Sequence, residues 1–145
     1  MKNLFVNSDK GIKINKQSVH KLVTNVKSEL SKKVDNLEIN FVNAETILRI
    51  NNQHLGHNYE TDVISFDYST ESNSFDGEIF ICSEIAFENS KRFAVLFDDE
   101  LKRLVIHGIL HFSGYDDKTP SLRKKMKIIE DELLNQNKKI KLLKK

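Results

Sequence analysis

From Leu104 to Phe112 every residue is apolar or glycine except two histidines, His107 and His111, that stand four positions apart. Read as a helix, this stretch together with Leu101 is apolar around most of its circumference, so the rest of the chain must pack around it. Positions i and i+4 share a helix face, and both imidazoles can therefore aim at one point at the edge of the apolar stripe. A helix ended at Gly114 can fold the chain back and return Asp117 to the same point. Two nitrogens and one oxygen, with a fourth position left for water, suit a catalytic zinc site better than a structural one. The residues thus point to a metal-dependent hydrolase.

Two histidines at helical spacing arise often by chance, and a histidine at a core edge is more often a packing residue than a ligand. Three features weigh the other way. Imidazoles in so apolar a helix are costly without a shared partner. Gly108 costs the helix about 1 kcal/mol relative to alanine and tolerates close approach of a neighbour. Gly114 supplies the turn that brings Asp117 back. Gly108 also excludes one rival, because metalloproteases of the HExxH type need a glutamate there as general base.

The 145 residues suit a single domain, 1–145. Cys82 is the only cysteine, which excludes an intramolecular disulfide and a four-cysteine zinc site; within its apolar run it reads as a buried thiol. Neither a signal peptide nor a bilayer-spanning stretch is evident, and the expected location is the cytoplasm, with no membrane partner. Charge is uneven: residues 1–117 hold 13 Lys and Arg against 18 Asp and Glu, whereas residues 118–145 hold 10 against 3. A basic end on an acidic body suggests a polyanionic partner such as nucleic acid, or else a frayed, solvated tail at about 137–145.

Alternation predicts strands at Ile12 and Ile14, at Leu37 to Val42, at Val63 to Phe66 and at Glu78 to Cys82. The intervening stretch from Asp67 to Gly77 reads as an exposed loop, and Asn51 to Thr61 as irregular. Helical spacing predicts a helix from Lys16 to Lys32, one after an Asn43 N-cap, one capped by Ser83 and running to Phe93, the histidine helix, and one from Ser121 to Gln136. In the last, Leu122, Met126, Ile129 and Leu133 are expected to face inward. The fold class is therefore α+β, a small mixed sheet of about four strands packed with about five helices.

The stretch HGILHFSGYDD resembles the HGxLHLxGYDH signature of the YbeY endoribonucleases, bacterial enzymes of ribosomal RNA maturation. Upstream, the segment from Thr61 to Phe66 resembles that family's TDVLSF, and Gly77-Glu78-Ile79 its GDI, in the same order. The resemblance covers roughly Asn43 to Asp117. It implies a zinc held by His107, His111 and the residue at position 117, where the family has histidine and this chain has Asp117. A carboxylate still ligates zinc, but it makes the site more negative, a bound water less acidic, and another divalent metal more acceptable. Asp116 is then a candidate to orient a ligand histidine, or simply a turn residue.

Family members also carry an arginine, thought to serve the phosphate, where this chain has Leu55. His54 and His57 flank that position as candidates for phosphate contact or proton donation, or as ordinary solvated polar residues. The resemblance implies a single-strand-selective endoribonuclease acting on precursor ribosomal RNA, notably the 3′ end of the small-subunit species, with the ribosome and ribosomal proteins as partners and no nucleotide cofactor. Arg123, Lys124 and Lys125 are the expected backbone-holding residues, and Ser65, Phe66 and Glu78 candidate groove residues, Phe66 reading more readily as core. Two rivals remain at the level of sequence: a metal-dependent hydrolase of another substrate, and a ribosome assembly factor whose metal is structural.

Overall fold

Alternating burial along the strands organises the computed structural model, which describes residues 3–144. Four strands, β1 (Leu4–Ser8), β2 (Lys33–Val42), β3 (Val63–Asp67) and β4 (Ser74–Cys82), form one sheet in the order β1-β2-β4-β3. β1, β2 and β4 run parallel, and β3 pairs antiparallel with β4. The helices are α1 (Lys16–Glu29), α2 (Ala44–Leu55), α3 (Ser83–Arg92), α4 (Phe97–Phe112) and α5 (Pro120–Gln136). The mixed sheet and five helices are the α+β class expected from the alternation and spacing.

Both sheet faces are covered. Leu37, Ile39 and Phe41 of β2 and Phe75, Ile79 and Ile81 of β4 share the main core with the apolar residues of α1 and α4. On the opposite face Ile47 of α2 packs with Val42, Ile64 and Cys82, so the thiol is buried as expected. Gly108 lets α4 sit close on the sheet: a Cβ there would meet Ile79 Cδ1 at 2.8 Å. Helix α4 is thereby held directly over β4, with its histidine face turned toward α5.

Several boundaries differ from expectation. The first strand is Leu4–Ser8, not the Ile12–Ile14 stretch; Ile14 makes only an isolated bridge to Leu143. The strands of the β3–β4 hairpin take both ends of the expected loop, Asp67 and the stretch from Ser74 to Gly77, with Asp67 paired to Gly77. Ser83 does not cap α3, because β4 runs straight into the helix with Cys82 at the N-cap position and no side-chain cap bond. Helix α5 begins at Pro120, with Thr119 Oγ1 accepting from Leu122 N at 3.2 Å. Leu122 is exposed, whereas Met126 and Leu133 are buried.

The basic segment after α5 is tied down through its backbone. Leu142 is fully buried, and the Asp98 carboxylate accepts from Leu142 N at 3.1 Å and Leu143 N at 2.9 Å. The buried Lys102 ammonium donates to Asn137 O at 3.4 Å and pairs with Asp99 at 3.3 Å. A frayed tail is thus excluded for its described residues, although the side chains of Lys138, Lys139, Lys141 and Lys144 remain exposed.

Candidate metal centre

Glu100, Arg103, His107 and His111 lie at helical spacing along one side of α4, forming a polar stripe on an otherwise apolar helix. The helix ends in a hydrogen-bonded reversal. Gly114, at φ 90°, donates to His111 O at 3.2 Å, and Tyr115 N donates to Leu110 O at 3.1 Å. This pair of bonds is the Schellman pattern, which requires a residue at ease with positive φ. The chain therefore doubles back, and Asp117 arrives beside the histidines.

The structure brings the three expected side chains together. His107 Nε2 and His111 Nε2 are 3.1 Å apart. Asp117 Oδ2 lies 3.5 Å from the first and 3.9 Å from the second. Ligands at about 2.0–2.2 Å around a tetrahedral zinc are separated by about 3.3–3.6 Å. The observed separations bracket those edges, so the donor set fits one divalent ion with little movement. All three residues are half-buried, which leaves an outer side for a fourth ligand.

A fourth residue, unforeseen from sequence, braces the first candidate ligand. His107 Nδ1 lies 2.6 Å from Glu130 Oε2, from the inward face of α5. An ionised carboxylate only accepts, so Nδ1 holds the proton and Nε2 presents its lone pair to the centre. Glu130 is itself buried and takes Arg103 Nη1 at 3.0 Å, while Arg103 Nη2 reaches Asp131 at 2.8 Å. Asp116, the sequence candidate for orienting a ligand, instead accepts from Lys118 N at 3.0 Å and shapes the turn. Glu130 was legible in one respect: it interrupts the inward stripe formed by Met126 and Leu133.

The electrostatics of the two imidazoles diverge. Burial pulls His107 down, but the Glu130 hydrogen bond and charge, aided by Asp117, more than reverse it, and the net shift is upward. For His111, burial and then the His107 charge push the pKa down. His111 is thus the readier lone-pair donor, and a cation competes with a proton more strongly at His107 than at His111.

A cleft of about 690 Å³ opens beside the trio and includes His107 and Asp117 in its wall. Arg92, Arg123 and Lys127 also line it, whereas Lys124 and Lys125 are exposed outside it. Arg123 Nη1 donates to the Asp117 carbonyl at 3.2 Å, which sets a guanidinium next to the third ligand. His54 and His57 do not line this cleft. His54 ends α2 edge-on to Phe66 at 5.5 Å, and His57 stacks on Tyr59 at 5.1 Å. Phe66 packs in the second core, and Glu78 accepts from the Tyr68 hydroxyl at 2.9 Å.

The family model for endoribonuclease YbeY matches residues 4–138. The chain belongs to that family. It is 36% identical over 121 residues to the endoribonuclease YbeY of Bacteroides thetaiotaomicron, covering 83% of this chain and 88% of that one. To the endoribonuclease YbeY of Chlorobaculum tepidum it is 44% identical over 101 residues, covering 70% and 73%. A Thermotoga maritima protein solved in solution superposes with a TM-score of 0.63 at 26% identity, covering 92% of this chain and 90% of that one. The YbeY membership accords with the resemblance read from HGILHFSGYDD. Among the described residues, no helix is long and apolar enough to cross a membrane.

Proposed function

We propose that this YbeY-family chain is a zinc-dependent endoribonuclease that cuts single-stranded stretches of precursor ribosomal RNA. The expected substrate is the 3′ end of the small-subunit species, met in the cytoplasm in company with ribosomal proteins. The observation that carries the reading is the convergence of His107, His111 and Asp117 within 4.8 Å at the mouth of a cation-lined cleft. The names of the relatives supply the substrate class.

A zinc ion held by these three residues would polarise a phosphoryl oxygen and acidify a water toward neutrality. The chain's own residues do the remaining work. Glu130 fixes the His107 tautomer, and Asp117 lowers the charge of the site. Arg123 meets the phosphate, taking over from the arginine that Leu55 replaces; Leu55 itself is exposed at the end of α2. Arg103 is already neutralised by Glu130 and Asp131 and serves as a brace. Gly108 is packed against Ile79, so no general base of the protease type has room there.

The test is metal content and RNA cleavage measured together on wild type, His107→Ala and Asp117→Ala, with casein as a control substrate. The expected result is about one zinc per wild-type chain, cleavage of single-stranded precursor RNA but not casein, and loss of metal and cleavage together in both variants. Cleavage that survives metal removal would overturn the reading.

A further inference from the structure

Glu100 is 4% exposed, yet it lines the cleft beside His107. One of its oxygens receives a long contact, 3.4 Å, from Asn89 Nδ2, which also donates to Asp62 Oδ2 at 3.2 Å. Among the described residues nothing donates to the other Glu100 oxygen, to the second Asp62 oxygen or to the Asn89 carbonyl. These oxygens form a set of acceptors at the cleft, and the neighbouring Arg103 is engaged by Glu130 and Asp131. A carboxylate held this deep on one long hydrogen bond can accept more from a ligand in the cleft. Burial, as the leading cause, holds its pKa above the ordinary range.

Phe93 stands on the rim of the same cleft at 58% exposure, with exposed Val95 nearby. Among the described residues its ring pairs with no other, whereas Phe87 is edge-on to Phe97 at 5.3 Å and lies under Lys91 at 4.4 Å. The backbone fixes Phe93 in place: its N–H donates to Asn89 O at 2.9 Å, and Ala94 turns the chain at φ 55°. Arg92 and Arg123 line the cleft with it.

An open aromatic face, neighbouring cations and a floor of acceptors together describe a receptor for a flat, donor-bearing ring on an anionic chain. Unpaired RNA bases are recognised in this way, by stacking and by their Watson–Crick edges. Guanine alone presents two adjacent N–H donors on that edge. We infer that the cleft is a nucleobase subsite in which an unpaired guanine stacks on Phe93 and donates to Glu100 and Asn89, with its flanking phosphates on Arg92 and Arg123. The inference rests on RNA being the substrate and adds a base preference to it.

The experiment is fluorescence anisotropy on zinc-loaded full-length protein with short 2′-O-methyl oligonucleotides bearing guanine, adenine or an abasic position at one site. Wild type is expected to favour the guanine strand. Phe93→Ala should bind that strand roughly tenfold more weakly, in line with a lost base stack, while Phe93→Trp retains binding. On the abasic strand wild type and Phe93→Ala should match. Glu100→Gln should bind guanine and adenine strands alike. Thermal melts check that each variant is folded, and Phe93 is exposed enough that its loss leaves the core intact. Unchanged guanine binding by Phe93→Ala, or a guanine preference erased by excess magnesium, overturns the subsite while leaving RNA binding intact. Failure of wild type to bind any strand overturns the RNA reading as well.

Discussion

In the proposed site the two nitrogens of His107 have opposite duties: Nε2 would present a lone pair to a cation, and Nδ1 would hold a proton. Glu130 enforces the division from 2.6 Å away. Replacing it with glutamine keeps the size but removes the charge and allows the amide to present an NH₂ to Nδ1. Glu130→Gln should weaken zinc binding roughly 10–100-fold, as outer-shell substitutions do. Competition with a chromogenic chelator reads this directly, and unchanged affinity would remove Glu130 from the site. Glu100 makes a second prediction. Its folded pKa lies above the unfolded value, so its contribution to stability is full at low pH and is lost as the pH rises through the folded value. Glu100→Gln should accordingly stabilise the fold more at neutral pH than in mild acid, measured by urea midpoints; the opposite trend would mean that the carboxylate is not strained by burial. The two histidines and Asp117 were legible in the sequence because helical spacing and a glycine turn fix them locally. Glu130 belongs to another helix, and only its place on an apolar stripe hinted at it.

At the level of elements, α4 is positioned by what it lacks. A Cβ at Gly108 would meet three carbons of Ile79 within 3.2 Å. Gly108→Ala would gain about 1 kcal/mol of helix propensity and lose more to overpacking, which costs about 1–3 kcal/mol. The expected outcome is a net loss of stability in urea unfolding, with weaker metal binding as α4 is pushed off β4; a stabilised variant would show that the contact yields freely. The helices were largely readable from their spacing, and Asn43 caps α2 through a 2.9 Å bond to Thr46 N as its sequence position suggests. The first strand was not. Leu4 and Val6 alternate with polar or exposed neighbours much as Ile12 and Ile14 do. What separates the two is the partner strand, since Leu4 to Ser8 fall in register with Leu37 to Phe41. That information is tertiary and leaves no local trace.

Across the whole molecule, the chain closes on itself through its last described residues. Asp98, in the first turn of α4, holds the backbone of Leu142 and Leu143, so the helix that carries His107 and His111 also anchors the C-terminal segment. Asp98→Ala would leave two amides without acceptors and should cost about 1–3 kcal/mol, seen as a lower unfolding midpoint; an unchanged midpoint would mean that the segment contributes nothing to the fold. Its basic composition was read from sequence as either a partner-binding or a frayed tail. Both pictures missed that Ile140 and Leu142 are buried, because two apolar residues among lysines carry no periodicity to read. The fold class was legible nonetheless, since it depends on summed patterns rather than on any single boundary. All of this scaffolding, from Gly108 through Glu130 to the anchored end, serves to hold three donor atoms around one point. Zinc K-edge X-ray absorption on the full-length protein tests that most directly. The predicted first shell holds nitrogen and oxygen only, at about 2.0–2.2 Å, with scattering from two imidazoles; His111→Ala loses stoichiometric zinc, and with zinc supplied in excess shows one imidazole at most. A sulfur neighbour, or a spectrum unchanged by that substitution, would contradict the account.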